Sequence, residues 1–358
     1  MERMSALPPW ALLVVFLLSA GVIWGAGIKL SDYTDVLAER LHLGAALGGV
    51  ILLSIATNLP EIAITVAAAL SGNVGVAVGN LLGGIAIQTV VLVALDAFGI
   101  RGRRPLTYQA ASLVLVLEGV LVVAVLAVVI AGSQLPAGLI WWRLTPAPVL
   151  IAVLWVVGLL LLQRAGTHLP WHESGEAPDN QGPPKGHSQQ KAEQDASSKG
   201  TSTARSATVF GVSALVTLAA GVVLERSGDA IAGHIGLSGV LFGATVLAAA
   251  TSLPELSTGL TSVRQGDYQL AVSDIFGGNA FLPVLFLLAT LLSGKAVLPH
   301  AQNTDIYLTA LGVLLTIVYV VGLVFRPQRR RARMGVDSIV VLVLYALGVA
   351  GLFAVAGS

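Results

Sequence analysis

Apolar residues run along this chain in long blocks separated by short polar breaks, without the period-two alternation of a half-buried strand. A helix crosses a bilayer core of about 30 Å with about 20 apolar residues. Ten segments meet that description, with limits near 9–30, 43–70, 74–99, 109–131, 146–163, 208–226, 237–263, 268–293, 305–325 and 337–356. The pattern predicts an all-α integral membrane protein. The runs are too long for the strands of an outer-membrane barrel. The second and seventh spans are long, and a proline interrupts each, Pro60 and Pro254. The first run, from Trp10 to about Lys29, reads as a retained span and not a signal peptide, because an internal repeat uses its end.

Composition agrees. Of 358 residues, 55% are hydrophobic and 11% charged, with mean hydropathy +0.84. A soluble domain carries roughly 25% charged residues, so a soluble enzyme is excluded. A net charge of +1 supplies no basic field for phosphates, which argues against a nucleic-acid partner. Cysteine is absent, so disulfides and thiolate metal sites are excluded. Residues 164–207 stand apart. Rich in Pro, Gly, Ser and Gln, with five basic and five acidic residues, they predict a disordered linker. Its His168, His172 and His187 read as part of a solvated tail and not as a metal sensor. The linker separates a first repeat, 1–163, from a second, 208–358.

With ten spans the loops alternate sides. Arg40, Arg101, Arg103, Arg104, the linker, Arg264 and the cluster Arg326, Arg329, Arg330, Arg331 and Arg333 share one side. Arg3, Arg143, Arg226 and Lys295 share the other. The positive-inside rule puts the first side in the cytoplasm and both termini outside a plasma membrane. Topology alone explains the arginine cluster, although anionic headgroups are within its reach.

The chain also repeats itself. At one fixed offset of 194 residues, Gly27 meets Gly221, Asp35 meets Asp229, and Ala56-Thr57 meets Ala250-Thr251. Leu59-Pro60-Glu61 then meets Leu253-Pro254-Glu255, and Gly83-Gly84 meets Gly277-Gly278. Five spans per half is an odd number, so the second half enters the membrane from the opposite face. Two inverted five-helix repeats are a transporter arrangement, with the substrate site where broken helices meet near the midplane.

The repeated motif carries the chemistry. Proline in a helix interior removes a donor and displaces the carbonyl one turn earlier, and freed carbonyls are tolerated in a membrane where they line a polar cavity. A glutamate follows each proline. Carboxylates, carbonyls and the oxygens of Thr57, Asn58, Thr251 and Ser252 make two hard-oxygen half-sites, a set that suits Ca²⁺ with its six to eight oxygen ligands. No basic residue lies mid-span to pair with Glu61 or Glu255. In the third and eighth spans, Asn80, Gly84 and Gln88 share one helix face, as do Asp274 and Gly278. Asp274, an intramembrane acid, is read as a site residue together with Asn80 and Gln88. Gly83 and Gly277 are read as packing residues. Asp96, near the end of the third span, is expected to reach the interface. Glu118, in the fourth span, has no repeat mate and is read either as a proton-relay group or as a partner for a polar side chain.

These motifs resemble the cation/Ca²⁺ exchanger superfamily, in particular bacterial sodium/calcium exchanger-like proteins, over roughly 43–99 and 237–293 and in overall layout. Members have ten spans, two inverted repeats and a Thr-Ser-x-Pro-Glu motif in each half. The resemblance implies an antiporter in which Glu61 and Glu255 bind the exported cation, aided by Thr57, Thr251, Asn58 and Ser252, by alternating access. Where the family usually reads Gly-Ser-Asn-x-x-Asn or Asp, this chain reads Gly83-Gly84-Ile85-Ala86-Ile87-Gln88 and Gly277-Gly278-Asn279-Ala280-Phe281-Leu282. Both serine positions are glycine, one distal polar position is leucine, and Asn58 replaces a serine. The missing oxygens belong mainly to the family's Na⁺ positions and central site, which makes H⁺ an alternative driver.

The expected function is a secondary active cation antiporter that exports Ca²⁺ in exchange for Na⁺ or H⁺. The alternatives are a sodium/proton or other monovalent cation exchanger of the same fold, and a passive cation channel. No His-Glu-x-x-His motif occurs and no His lies deep in a span, so an intramembrane metalloenzyme has little support. No cofactor is expected: Ca²⁺, Na⁺ or H⁺ would be substrates. The expected partners are inorganic cations and the lipid bilayer, and nothing implies an oligomer.

Overall fold

A computed structural model describes residues 7–40, 54–72, 74–168, 203–236 and 242–356. Among them, eight continuous helical runs are long and apolar enough to cross a membrane. In chain order the helices are α1 (Pro9–Arg40), α2 (Leu59–Ser71), α3 (Val74–Ala94, continued by a π turn, Leu95–Gly99), α4 (Leu106–Ala110), α5 (Leu113–Ser133) and α6 (Pro146–His168). The second half contains α7 (Thr203–Ile235), α8 (Ala248–Thr251, preceded by a π turn, Gly243–Leu247), α9 (Leu253–Gln265) and α10 (Tyr268–Phe281). It ends with α11 (Leu285–Ser293), α12 (Asn303–Phe325) and α13 (Val336–Ala356), with a two-stranded hairpin, β1 (Arg330–Arg331) and β2 (Met334–Gly335), before α13.

The repeat is visible in the elements. Helices α1, α2 and α3 begin 194 residues before α7, α9 and α10, at positions 9, 59 and 74 against 203, 253 and 268. Helices α5 and α6 begin 190 residues before α12 and α13, at 113 and 146 against 303 and 336. The last turn of each half repeats as well. Trp142 and Arg143 have φ of 50° and 61°, and Ala332 and Arg333 have φ of 49° and 67°. Trp141 pairs with Leu144 as Arg331 pairs with Met334.

Several predicted limits are corrected. Helices α1 and α7 run beyond residues 30 and 226, because polar and charged residues continue the helix past the apolar run. Helix α6 reaches His168 and α7 starts at Thr203, inside the predicted linker. Residues 169–202, with His172 and His187, lie outside the described residues, as do 41–53 and 237–241 of the second and seventh spans. The fourth span is broken at residues 111–112, and Ser112 caps α5 through its hydroxyl. The eighth span tightens into a 3₁₀ turn at Leu282–Val284, because Pro283 cannot donate to the helical ladder.

Asp96, at the end of the third span, is buried and accepts from the Leu106 amide at 2.9 Å, the Gly335 amide at 2.6 Å and the Ser338 hydroxyl at 2.9 Å. Arg330 closes the same joint by donating to the carbonyls of Asp96, Ile100, Gly102 and Arg333. Arg104 and Arg326 lie over the Tyr108 ring, 4.6 and 5.0 Å from its centroid. Arg326 and Arg330 of the cluster therefore tie the two halves together, a role that topology did not require.

Candidate cation site

Each proline motif breaks its span in the same way. Asn58 (φ −85°, ψ 14°) precedes α2 and Ser252 (φ −81°, ψ 6°) precedes α9, with a proline in the first turn of both helices. Pro60 and Pro254 have no N–H to give to the carbonyls of Ala56 and Ala250 one turn earlier, and polar side chains bond the backbone beside each break. The Ser54 carbonyl accepts from the Asn58 amide nitrogen at 2.6 Å and from the Thr57 hydroxyl at 3.3 Å. Its repeat mate, the Ala248 carbonyl, accepts from the Ser252 hydroxyl at 2.8 Å and the Thr251 hydroxyl at 3.1 Å. A hydroxyl that donates its proton to the backbone keeps its oxygen lone pairs for a cation.

Glu61 and Glu255 fall in the first turns of α2 and α9, where the positive helix end favours a carboxylate. Both are buried, as are Thr57, Asn58, Gln88, Thr251, Ser252 and Asp274. The halves interlock through these residues. Gln88 of α3 donates to Asn58 Oδ1 at 3.0 Å and to Glu255 Oε1 at 3.2 Å. The Thr57 hydroxyl faces Asp274 Oδ1 at 3.5 Å and also lies beside Glu255. Thr251 correspondingly approaches Glu61, although its proton is directed to Ala248 and both Glu61 oxygens lack a formed hydrogen bond. Glu255 lies within Coulombic reach of Glu61 and Asp274. Three acids thus converge on two helix breaks. The ion pair of Arg330 with Asp96 lies elsewhere.

Eight of the nine sequence-predicted residues meet here. The exception is Asn80, which is buried with neither amide atom hydrogen-bonded, while its repeat mate Asp274 is joined to the breaks. Sequence reasoning overlooked Thr258, whose hydroxyl donates to Asp274 Oδ2 at 3.0 Å. It lies three residues after Glu255, on the same face, but its repeat mate is Ile64, so comparison of the halves hid it. Ser54 was also overlooked. Among the described residues no group of three or more His, Cys, Asp or Glu side chains is arranged to hold a metal ion. A cation in this place would draw on hydroxyl and amide oxygens as well as carboxylates.

A model of the sodium/calcium exchanger protein family matches residues 11–167 and 205–354, both halves of the chain. The chain belongs to the sodium/calcium exchanger family. Its homology extends to the inner membrane protein YrbG of Escherichia coli (strain K12), 28% identical over 301 residues, covering 82% of this chain and 83% of YrbG. The fold is shared with the sodium-calcium exchanger NCX_Mj, at TM-score 0.58 and 16% identity, covering 96% of this chain and 99% of that one. It is also shared with the H⁺/Ca²⁺ exchanger CAX, at TM-score 0.63 and 14% identity, covering 96% and 87%. This member of the family is a multi-pass membrane protein, and its family moves inorganic cations.

Proposed function

We propose that this exchanger-family chain is a secondary active antiporter that binds Ca²⁺ between its two helix breaks and exports it against Na⁺ or H⁺. One observation carries the reading: Glu61, Glu255 and Asp274 are buried together at the two helix breaks, with Glu61 and Asp274 within Coulombic reach of Glu255. Buried charge requires compensation, and a divalent cation supplies it with ligands of the right hardness. Each break has a helix N-terminus beside its glutamate, the kind of element that discontinuous helices bring to transporter sites. In this reading the repeats are 1–163 and 208–358, inverted in the plasma membrane, with both termini outside and 164–207 cytoplasmic.

The test is Ca²⁺ flux into proteoliposomes under Na⁺, K⁺ or H⁺ gradients imposed one at a time. Uphill movement with one of them separates an antiporter from a passive channel. Glu61→Gln and Glu255→Gln are each expected to abolish the flux. Normal transport by both variants would show that the site lies elsewhere.

A further inference from the structure

Outside the cation site the fourth span carries an acid with no assigned role. Glu118, on α5, is over nine-tenths buried. Its Oε1 accepts from the Ser273 hydroxyl at 2.8 Å, and its Oε2 has no hydrogen-bond partner. Glu118 forms part of the wall of a pocket between α5, α6 and α10, together with Trp155, Leu162, Phe276, Phe281 and Ser54. The pocket has room for about two water molecules. Both serines connect it to the site. Ser273 immediately precedes Asp274, and the Ser54 hydroxyl faces the Asp274 carbonyl at 3.5 Å while the Ser54 carbonyl holds Asn58.

The pocket's chemistry narrows the ligand. Ca²⁺ takes six to eight oxygens, and this pocket has one carboxylate and one hydroxyl, that of Ser54, among apolar walls, with the Ser273 hydroxyl donating to the carboxylate. A proton needs one oxygen and leaves a neutral acid that the apolar wall accommodates. An intramembrane acid beside a cavity that can admit water is a mark of a proton path. We propose that Glu118, with Ser273 and water admitted to this pocket, is the proton-binding station of the exchanger. One hydronium gives one proton to Glu118 Oε2 and leaves one water. The step reverses when the helix carrying Ser273 and Asp274 moves with the cation site. This inference rests on the antiport reading and specifies its driver.

Among the described residues no other ionisable side chain lines the pocket. On the helices packed against α5, α10 carries Asp274, which is bonded to Thr258, and Tyr268 at its start. Helix α12 carries Tyr319, bonded to Ser338, with Asp305 and Tyr307 in its opening turns. Helix α6 carries Arg164 and His168 at its end, and the 3₁₀ turn Leu298–His300 carries His300.

The experiment uses the full chain in proteoliposomes with two readouts: Ca²⁺ uptake driven by a pH gradient, and Ca²⁺ self-exchange at equal pH without Na⁺. Glu118→Gln is expected to leave self-exchange unchanged and to lower pH-driven uptake about 100-fold, the scale of losing a proton-transfer group. Ser273→Ala is expected to keep pH-driven uptake but move the midpoint of its pH profile, which a purely structural hydroxyl would not do. Undiminished pH-driven uptake in Glu118→Gln overturns the proposal. So does loss of self-exchange in that variant, because a station outside the cation site is separable from cation exchange. Absence of self-exchange in the unmodified chain would instead remove the antiport reading itself.

Discussion

A Cβ placed on Gly278 would sit 2.8 Å from Asn58 Nδ2 and 3.5 Å from Gln88 Oε1. One on Gly84 would lie 3.7 Å from Leu282 Cδ1. The first of these contacts accounts for two departures from the family motif. Asn58 is larger than the serine it replaces, and its amide fills space that a side chain at 278 would need. The distance from Gly84 to Leu282 is ordinary van der Waals contact and would admit a Cβ. The replacements at 58 and 278 are therefore paired. Gly278→Ser alone is expected to displace Asn58 and reduce Ca²⁺ flux, and Asn58→Ser with Gly278→Ser to restore it. Residues in direct contact couple by about 0.5–3 kcal/mol, so a double-mutant cycle on transport should show clear non-additivity, and strict additivity would mean that the two positions are independent. Thr258 offers a second test. Thr258→Val removes the donor to Asp274 Oδ2, and a hydrogen bond to a charged group contributes about 1.5–3 kcal/mol. Ca²⁺ affinity, measured by concentration dependence of self-exchange, is expected to fall about tenfold or more, with the thermal melt little changed.

At the scale of elements, the breaks are held by the opposite half. Gly27 of α1 packs on Pro254, where a Cβ would stand 3.0 Å from the proline Cβ, and Gly221 of α7 packs on Pro60 with 3.4 Å to its Cα. Gly25, two residues away, faces open space. Gly27→Leu is thus expected to abolish Ca²⁺ flux and Gly25→Leu to leave it intact, with equal effects marking Gly27 as ordinary helix surface. The joint at Asp96 has a different role. Arg330→Ala removes bonds to four carbonyls and the partner of a buried carboxylate. Breaking a buried pair is destabilising by about 3–5 kcal/mol, so the apparent Tm in detergent is expected to drop by several degrees. Arg330→Lys should not rescue it, because an ammonium lacks the guanidinium's fork. The breaks at Pro60 and Pro254 were legible because proline and glutamate recur at one offset. The Asp96–Arg330 joint was not, since pairing across 234 residues of chain leaves no periodic trace. The full length of α1 was hidden for another reason. Its last turns carry charges that hydropathy alone assigns to a loop.

For the whole molecule, charge position and repeat geometry make one joint claim. In the proposed topology the basic loops define a single face, and an odd number of spans per half places equivalent turns on opposite faces. The turns at 141–144 and 331–334 share their bridge and their two positive φ values, so they are the same structure occurring twice. Leu139 and Arg329 stand at equivalent positions, 190 residues apart, and both are exposed. The absence of native cysteine makes them clean labelling sites. In intact cells treated with a membrane-impermeant maleimide, Leu139→Cys is expected to label at once and Arg329→Cys only after permeabilisation. Labelling of both from the same side would end the inverted-repeat reading while leaving family membership untouched. The reverse pattern would keep the inversion and turn the molecule over, placing the basic face outside. Only the expected pattern puts the basic loops, and with them the start of α5 and the end of α6 that flank Glu118, on the cytoplasmic side.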